Sequence, residues 1–294
     1  MKNKDLNRLL FKILIASIFL FIVSIIFSNQ RQSVQKSKTT ALLNPKYKAE
    51  INSIQIKNRD SEIEIQKKGN LWILTKNETT VLADEKILTS LLENLSKVRT
   101  IYEIHNQKSP EYSDKTQIIV KNNNNMSTKL DFYSENSLLN RIEFEFSNQF
   151  YETRNDFSQF LTTDINYWSK AELLSEIQNP VSFTLKAQNK QIKKNESSPD
   201  FFKIKQDLSS LRHGSIKLEA STKKPDFSIT SENGNGRLLT LFFTKLTEDE
   251  YLCTTSIIPS PADPTETAFA LHSINKSAEI SNWTVNRILE LFNN

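Results

Sequence analysis

The most pronounced feature of the hydrophobic pattern is an apolar stretch near the N-terminus. Residues 13–30 are 18 consecutive uncharged residues, most of them isoleucine, leucine, phenylalanine or valine. A helix rises about 1.5 Å per residue, so roughly 20 residues cross a hydrocarbon layer of about 30 Å. The length of this stretch predicts a single transmembrane helix over residues 13–30.

The residues that follow the apolar stretch distinguish an anchor from a cleaved signal peptide. The sequence Phe27-Ser28-Asn29-Gln30 lacks the small-x-small pattern of a cleavage site. We therefore expect an uncleaved signal anchor, with a cleaved signal peptide and a buried soluble helix as the alternatives. The short basic segment 1–12 favours a cytoplasmic N-terminus, which places the bulk of the chain outside the cytoplasm.

After residue 48 the pattern changes to short runs in which apolar and polar residues alternate. Such alternation, with the turn sequence Lys68-Gly69-Asn70 between two runs, predicts antiparallel strands joined by tight turns. Leucine and isoleucine then recur at helical spacing after Asp84, which predicts a helix over residues 84–99 with Asp84 as its N-cap. We expect Trp72 to share a core with the apolar face of this helix.

The order of strands followed by a helix recurs twice more. Strands predicted between residues 117 and 146 precede a predicted helix over 170–177. Further strands, with the hairpin sequence Asn233-Gly234-Asn235-Gly236, precede a C-terminal helix over 282–292. The pattern predicts an α+β fold in which each antiparallel strand unit is closed by a helix. Whether the three units are true repeats stays open at this point.

Polar segments divide the chain into expected domains. A lysine- and serine-rich segment over 188–200 predicts an exposed loop between a β-rich domain, 49–187, and a second β-rich unit, 201–294. The polar and basic residues 31–48 predict a tether between the membrane and the first domain. Basic residues are concentrated in this tether and in the N-terminus, whereas the chain from Glu50 onward is net acidic. This distribution argues against a nucleic-acid-binding domain.

Composition and spacing exclude several kinds of site. The 4 glycines in 294 residues disfavour phosphate-binding loops, and one cysteine, Cys253, cannot form an internal disulfide or a thiolate cluster. Several polar residues are of the types that occur in catalytic or metal sites, but they lack the partner motifs that such sites need. They are Ser33 and Lys36, Ser221 and Lys224, the isolated His105, His213 and His272, and the carboxylate pairs Glu62/Glu64 and Glu143/Glu145.

The sequence thus predicts no catalytic, metal-binding or cofactor-binding residue. The candidates for structural or contact roles are Gly69, Trp72, Asp84 and Trp283. Gly69 lies in the tight turn, Trp72 lies in the strand that follows it, and Trp283 lies at the start of the C-terminal helix.

Residues 51–99 resemble a bacterial family, called domain of unknown function 4340. The resemblance rests on Ile54-x-Ile56, Ile63-x-Ile65, Gly69-x-x-Trp72-x-Leu74, Ala83-Asp84 and Leu91-Leu92-x-x-Leu95. Leu82 stands where members of that family often have a proline. Its members typically have one N-terminal span, and some are encoded beside gliding-motility-type ABC transporters. The resemblance therefore implies an accessory protein of the bacterial envelope.

Together, these features lead us to expect a single-pass protein of the cytoplasmic membrane with a non-enzymatic extracytoplasmic domain and no cofactor. Its expected role is that of a binding or adaptor protein, accessory to an ABC-type permease or another envelope complex. Two alternatives remain: an envelope hydrolase with catalytic residues from distant segments, and a structural tether that binds the cell wall.

Overall fold

A computed structural model describes residues 17–18, 37–104, 115–124, 126–134, 139–144, 150–154, 156–187, 190–218, 223–260 and 265–293. The fold is α+β, with mostly antiparallel β-sheets and few helices, which confirms the predicted class. No helix in these ranges is both long and apolar enough to cross a membrane. Except for residues 17 and 18, the predicted span 13–30 lies outside the described residues.

The first sheet has ten strands in the order β1-β6-β10-β9-β8-β7-β2-β3-β4-β5. Its strands are β1 (Ser37–Thr40), β2 (Ile51–Lys57), β3 (Glu62–Lys68), β4 (Leu71–Lys76), β5 (Thr79–Leu82), β6 (Arg99–Ile104), β7 (Lys115–Asn122), β8 (Ser127–Ser134), β9 (Leu139–Phe144) and β10 (Phe150–Arg154). Helix α1 (Glu85–Ser96) follows β5, and a 3-10 helix (Pro45–Glu50) precedes β2.

Helix α1 forms where the pattern predicts it. The Asp84 carboxylate accepts a hydrogen bond from the backbone N–H of Lys86 at 2.8 Å, which caps the helix. Its apolar face covers the sheet core, and Trp72 packs against that core while staying partly exposed. The helix ends at Ser96, and not at residue 99, because Arg99 begins β6 and pairs with β1.

The second sheet has seven strands in the order β12-β11-β14-β15-β16-β17-β13. Its strands are β11 (Pro180–Ala187), β12 (Lys190–Asn195), β13 (Ile216–Lys217), β14 (Phe227–Asn233), β15 (Leu238–Lys245), β16 (Glu250–Ile258) and β17 (Ser277–Ser281). Within the described ranges, four further α-helices accompany the sheets: α2 (Ile165–Trp168), α3 (Phe201–Ser210), α4 (Glu266–His272) and α5 (Asn282–Asn293). A second 3-10 helix spans Ser158–Phe160. The predicted C-terminal helix is thus present as α5.

The polar segment over 188–200 is not a boundary between two units. Its residues 190–195 form β12, an edge strand whose exposed lysines alternate with partly buried positions. The segment that connects the two sheets lies earlier, between residues 156 and 179. An exposed edge strand tolerates charged side chains, so the same polar composition is compatible with a strand.

The prediction of a helix over residues 170–177 is wrong. This segment has turns in the structure, because its backbone pairs with the segment after α3. The N–H of Leu173 donates to the carbonyl of Leu211 at 3.0 Å, and Glu172 forms a β-bridge with Arg212. A helix would need backbone hydrogen bonds within the segment, and these contacts with the segment after α3 take their place.

The tether predicted over residues 31–48 is wrong for residues 37–48, the part that the structure describes. Residues 37–40 form β1, and Leu42 and Leu43 are buried. The N–H groups of both leucines donate to the carbonyl of Leu95, at 3.0 and 2.9 Å. Residues 37–43 therefore belong to the first sheet and its core, and residues 31–36 lie outside the described residues.

The two sheets share their packing. Leu71, Ile73 and Leu82 of the first sheet belong to the core of the second sheet. Asn275, just before β17, connects the sheets by polar contacts. Its side-chain oxygen accepts from the N–H of Thr80 at 2.6 Å, and its side-chain nitrogen donates to the carbonyl of Glu78 at 2.6 Å. The junction between the sheets is thus fixed by both apolar burial and hydrogen bonds.

Candidate functional site

A cleft of about 400 Å³ lies at the junction of the two sheets. Residues from the β3–β4 turn, the connecting segment, the β14–β15 turn and α4 form its walls. Side-chain amides dominate its polar lining: Asn70, Gln178, Asn179, Asn233 and Asn235. Because each amide group both donates and accepts hydrogen bonds, such a lining suits a ligand that carries both kinds of group.

The β3–β4 turn is held against α4 on one side of the cleft. Gly69 has a φ of +59°, a left-handed conformation that glycine adopts without strain. A methyl group at this position would also collide with the hydroxyl of Thr267. Next to it, the side-chain oxygen of Asn70 accepts a hydrogen bond from that hydroxyl at 3.0 Å. The predicted turn residue Gly69 thus positions a wall of the cleft.

The β14–β15 turn forms another wall, and its own side chain holds it in place. The Asn233 side-chain oxygen accepts from the N–H groups of Asn235 and Arg237, at 3.1 and 2.9 Å. Gly236 has a φ of +78°, which the turn requires. Gly234 has room beside it, since a Cβ there would meet only a methyl of Val181, at 3.9 Å. The turn is preformed, and there is space at Gly234.

A buried ion pair includes one residue of the cleft wall. Lys276 Nζ lies 2.5 Å from Glu176 Oε1, and the two side chains are 3% and 1% exposed. The second carboxylate oxygen of Glu176 is buried and has no hydrogen-bond partner, and the same is true of the hydroxyl of neighbouring Ser175. Both residues line the cleft. Buried polar atoms are nearly always hydrogen-bonded, so these two are exceptions, but they have almost no accessible surface and lie behind the wall of the cleft.

The thiol of Cys253 lies in the field of this ion pair. Burial raises the pKa of Cys253 to about 12; the charge of Lys276 lowers this pKa and the charge of Glu176 raises it. The thiol is therefore protonated near neutral pH, and a protonated thiol is a poor nucleophile. Cys253 acts in the structure as a small buried side chain of β16.

His213 is also buried beside the connecting segment. Its Nδ1 lies 2.8 Å from the carbonyl oxygen of Gly214, and its Nε2 lies 3.1 Å from that of Lys170. Desolvation by burial lowers the pKa of His213 below its ordinary value of 6.5, and the charge of Lys276 lowers it further. The two carbonyl groups and Glu176 oppose this effect. The folded protein thus favours the neutral imidazole.

We expect the free energy of unfolding to fall as the pH drops below 6.5. A lowered pKa in the folded state means that the unfolded chain binds the proton more tightly, so stability present above 6.5 is lost on acidification. Urea unfolding at pH 7.5 and 5.5 measures this loss. The loss should be smaller in His213→Gln, whereas exposed His272→Gln serves as the control. If His213→Gln and the unmodified protein lost the same free energy of unfolding, the loss could not be attributed to His213.

The other candidates from the sequence do not line this cleft. Asp84 caps α1, Trp72 packs on the first core, and Trp283 is 70% exposed at the start of α5. Glu62 and Glu64 are exposed on β3, as their alternation with isoleucine predicted. The remaining positions lie outside the described residues. They are His105, Ser33, Lys36, Ser221 and Glu145, together with the side chain of Glu143.

Sequence reasoning missed Ser175, Glu176 and Lys276. The two charged partners are 100 residues apart in the chain, and no motif surrounds either of them. The one local signal is that Glu176 stands among apolar neighbours, Leu173, Leu174 and Ile177, in a segment that is buried. Within the described ranges, no group of three or more His, Cys, Asp or Glu side chains could hold a metal ion.

Comparison with known proteins gives no relative. No family model, no curated protein and no solved structure matches the chain. The resemblance of residues 51–99 to domain of unknown function 4340 therefore stays a prediction.

Proposed function

We propose that this chain is a membrane-anchored, extracytoplasmic binding protein that serves as an adaptor of a bacterial envelope complex. The cleft at the sheet junction is its contact with a polar segment of a partner. The observation that carries this proposal is the lining of side-chain amides in a cleft bordered by the preformed β14–β15 turn.

The chemistry of the cleft suits recognition. A polypeptide segment offers alternating N–H and C=O groups, and side-chain amides bond to both. Because Asn233 and Gly236 preform the β14–β15 turn, less conformational entropy is lost when a ligand binds. No reaction and no cofactor form part of this proposal.

Anchoring explains how such a cleft works at modest affinity. The uncharged stretch 13–30 supports a signal anchor, and strand β1 of the first sheet begins soon after it, at Ser37. Two partners held in one membrane meet at a high effective concentration. An ABC-type permease is the partner class that the family resemblance suggests.

Fusion reporters and anchor removal test the anchor and its orientation. Alkaline phosphatase fused after Asn294 should be active, and a fluorescent protein that folds only in the cytoplasm should be dark at the same position. Replacing residues 1–28 by a cleavable signal peptide should release the domain and abolish function in a complemented deletion strain. A bright fluorescent fusion, or a released domain that restores function fully, would contradict the proposal.

A further inference from the structure

A second cavity, of about 600 Å³, lies near the opposite edge of the first sheet. Its charged and aromatic lining residues come from the start of β6 and the end of β10: Lys97, Arg99, Tyr102, Glu152, Arg154 and Asp156. None of them lines the cleft at the sheet junction. This site is therefore separate from the one in the proposed function.

The cavity exists because two neighbouring strands stop pairing. The ladder between β6 and β10 joins Ile104 to Phe150 and ends where Tyr102 meets Glu152. Beyond that point β6 continues as the partner of β1, while β10 continues as the partner of β9. The diverging strands leave an opening lined by the start of β6 and the end of β10.

A nearly buried guanidinium lines this opening. The Arg99 side chain is 9% exposed, and its Nη1 lies 3.5 Å from the carboxylate of Asp156. Its Nη2 donates to the carbonyl of Asn94, and its guanidinium carbon lies 4.5 Å from the ring centre of Phe157. Its Nε is buried and has no hydrogen-bond partner. Arginine stays charged even when desolvated, so a fixed positive charge lies in the wall of the opening.

The surroundings of Arg99 add positive charge and exposed apolar surface. Lys97 and Arg154 are exposed beside it, so three cations face two carboxylates, of which Asp156 is already paired with Arg99. Val98 and Tyr102 are 61% and 44% exposed next to these cations. Cations beside an exposed aromatic and an aliphatic side chain are the combination found at the headgroup level of membranes.

The position of the cavity relative to the predicted span is constrained by chain length. Ser37, the first residue of β1, pairs with Tyr102 on the cavity rim. Seven residue steps separate Ser37 from the end of the apolar stretch at Gln30, and whatever their conformation they reach no farther than about 25 Å. The cavity rim is thus kept close to the membrane surface if residues 13–30 span the bilayer.

We infer that this cavity binds the phosphate headgroup of an anionic phospholipid, with the exposed Lys97 and Arg154 as the cations that contact it and the charge of Arg99 behind them. Tyr102 and Val98 would then lie against the headgroup and upper acyl region of the same leaflet. The inference rests on the anchor of the proposed function, but it concerns a different surface and a different ligand. Binding here would orient the domain on the membrane.

Native mass spectrometry of the full chain in a neutral detergent tests the inference. We expect phosphatidylglycerol to stay bound under conditions in which phosphatidylcholine is lost. Lys97→Gln combined with Arg154→Gln should weaken phosphatidylglycerol binding at least about tenfold, since each basic residue near an anionic surface contributes on the order of 1 kcal/mol. The matched control is Lys190→Gln with Lys193→Gln, two exposed lysines of β12, which should bind as the unmodified protein does.

Titration with sodium phosphate separates a lipid site from a site for free phosphate. Retention of the lipid at millimolar phosphate supports the inference. Displacement of the lipid by millimolar phosphate, equal retention of both lipids, or equal weakening by the control pair would overturn it. Because the assay reads lipid binding in detergent, its outcome is independent of the fusion and complementation tests of the proposed function.

Discussion

Replacing Lys276 by alanine should lower the free energy of unfolding by about 3 to 5 kcal/mol, a large fraction of the stability of a typical domain. The Glu176 carboxylate is 1% exposed and pairs with Lys276 at 2.5 Å. Removing the ammonium leaves a charge in a site that water does not reach, with neither carboxylate oxygen partnered by a cation. Urea unfolding at pH 7.5 measures the change through the transition midpoint.

Two further variants show whether the loss comes from the unpaired charge. Lys276→Met together with Glu176→Met removes both charges and should recover most of the lost stability, because apolar side chains of similar volume often replace a buried pair without cost. Arg212→Ala breaks the Arg212–Glu172 pair, whose side chains are 69% and 39% exposed, and should cost no more than about 1 kcal/mol. If Lys276→Ala cost no more than Arg212→Ala, the pair would be solvated and our description of it wrong.

Local patterns predicted those elements in which burial follows sequence period. The alternating isoleucines of β2 and β3 are fully buried and face each other across the ladder, as in the pair Ile54 and Ile65. Helix α1 was predicted from its leucine spacing and from Asp84 at its start. In these elements one face meets the core and the other meets solvent, so the sequence period carries the structural information.

Elements that depend on distant partners could not be predicted in this way. β12 consists largely of lysine and other polar residues and is a strand only because β11 offers it an edge. Residues 170–177 have the apolar content of a helix, but their backbone bonds to Leu211 and Arg212 instead. In both segments the tertiary context overrides the local preference.

The tryptophans illustrate the same limit for single residues. The strand and turn motif predicted a core position for Trp72, which packs on the first core but stays partly exposed. Trp168 is fully buried, and its ring N–H donates to the carbonyl of Thr162 at 2.8 Å. Its burial depends on the connecting segment folding over the first sheet, where the N–H of Asp84 donates to the Trp168 carbonyl at 2.7 Å. No local pattern encodes that contact.

The candidate site was predictable only in its turns. Gly69 and the Asn233-Gly234-Asn235-Gly236 turn were identified from sequence because tight turns have a local composition. That these turns lie on one cleft, together with Glu176, follows from how the two sheets pack. A single sequence contains no record of that packing.

Filling the cleft should block the contact through which the protein acts, and Gly234→Trp fills it with little expected disturbance of the fold. Gly234 has no left-handed φ, and a Cβ added there would make an ordinary van der Waals contact with a methyl of Val181, at 3.9 Å. We expect this variant to reach the membrane at the normal level and to unfold within about 0.5 kcal/mol of the unmodified protein, as surface substitutions usually do.

The measurement is the rescue of a deletion strain by Gly234→Trp, with Lys190→Trp on exposed β12 as the control for an added surface tryptophan. If the cleft is the contact through which the protein acts, Lys190→Trp restores function and Gly234→Trp does not. Full rescue by a stable Gly234→Trp protein whose cleft is filled would contradict the account.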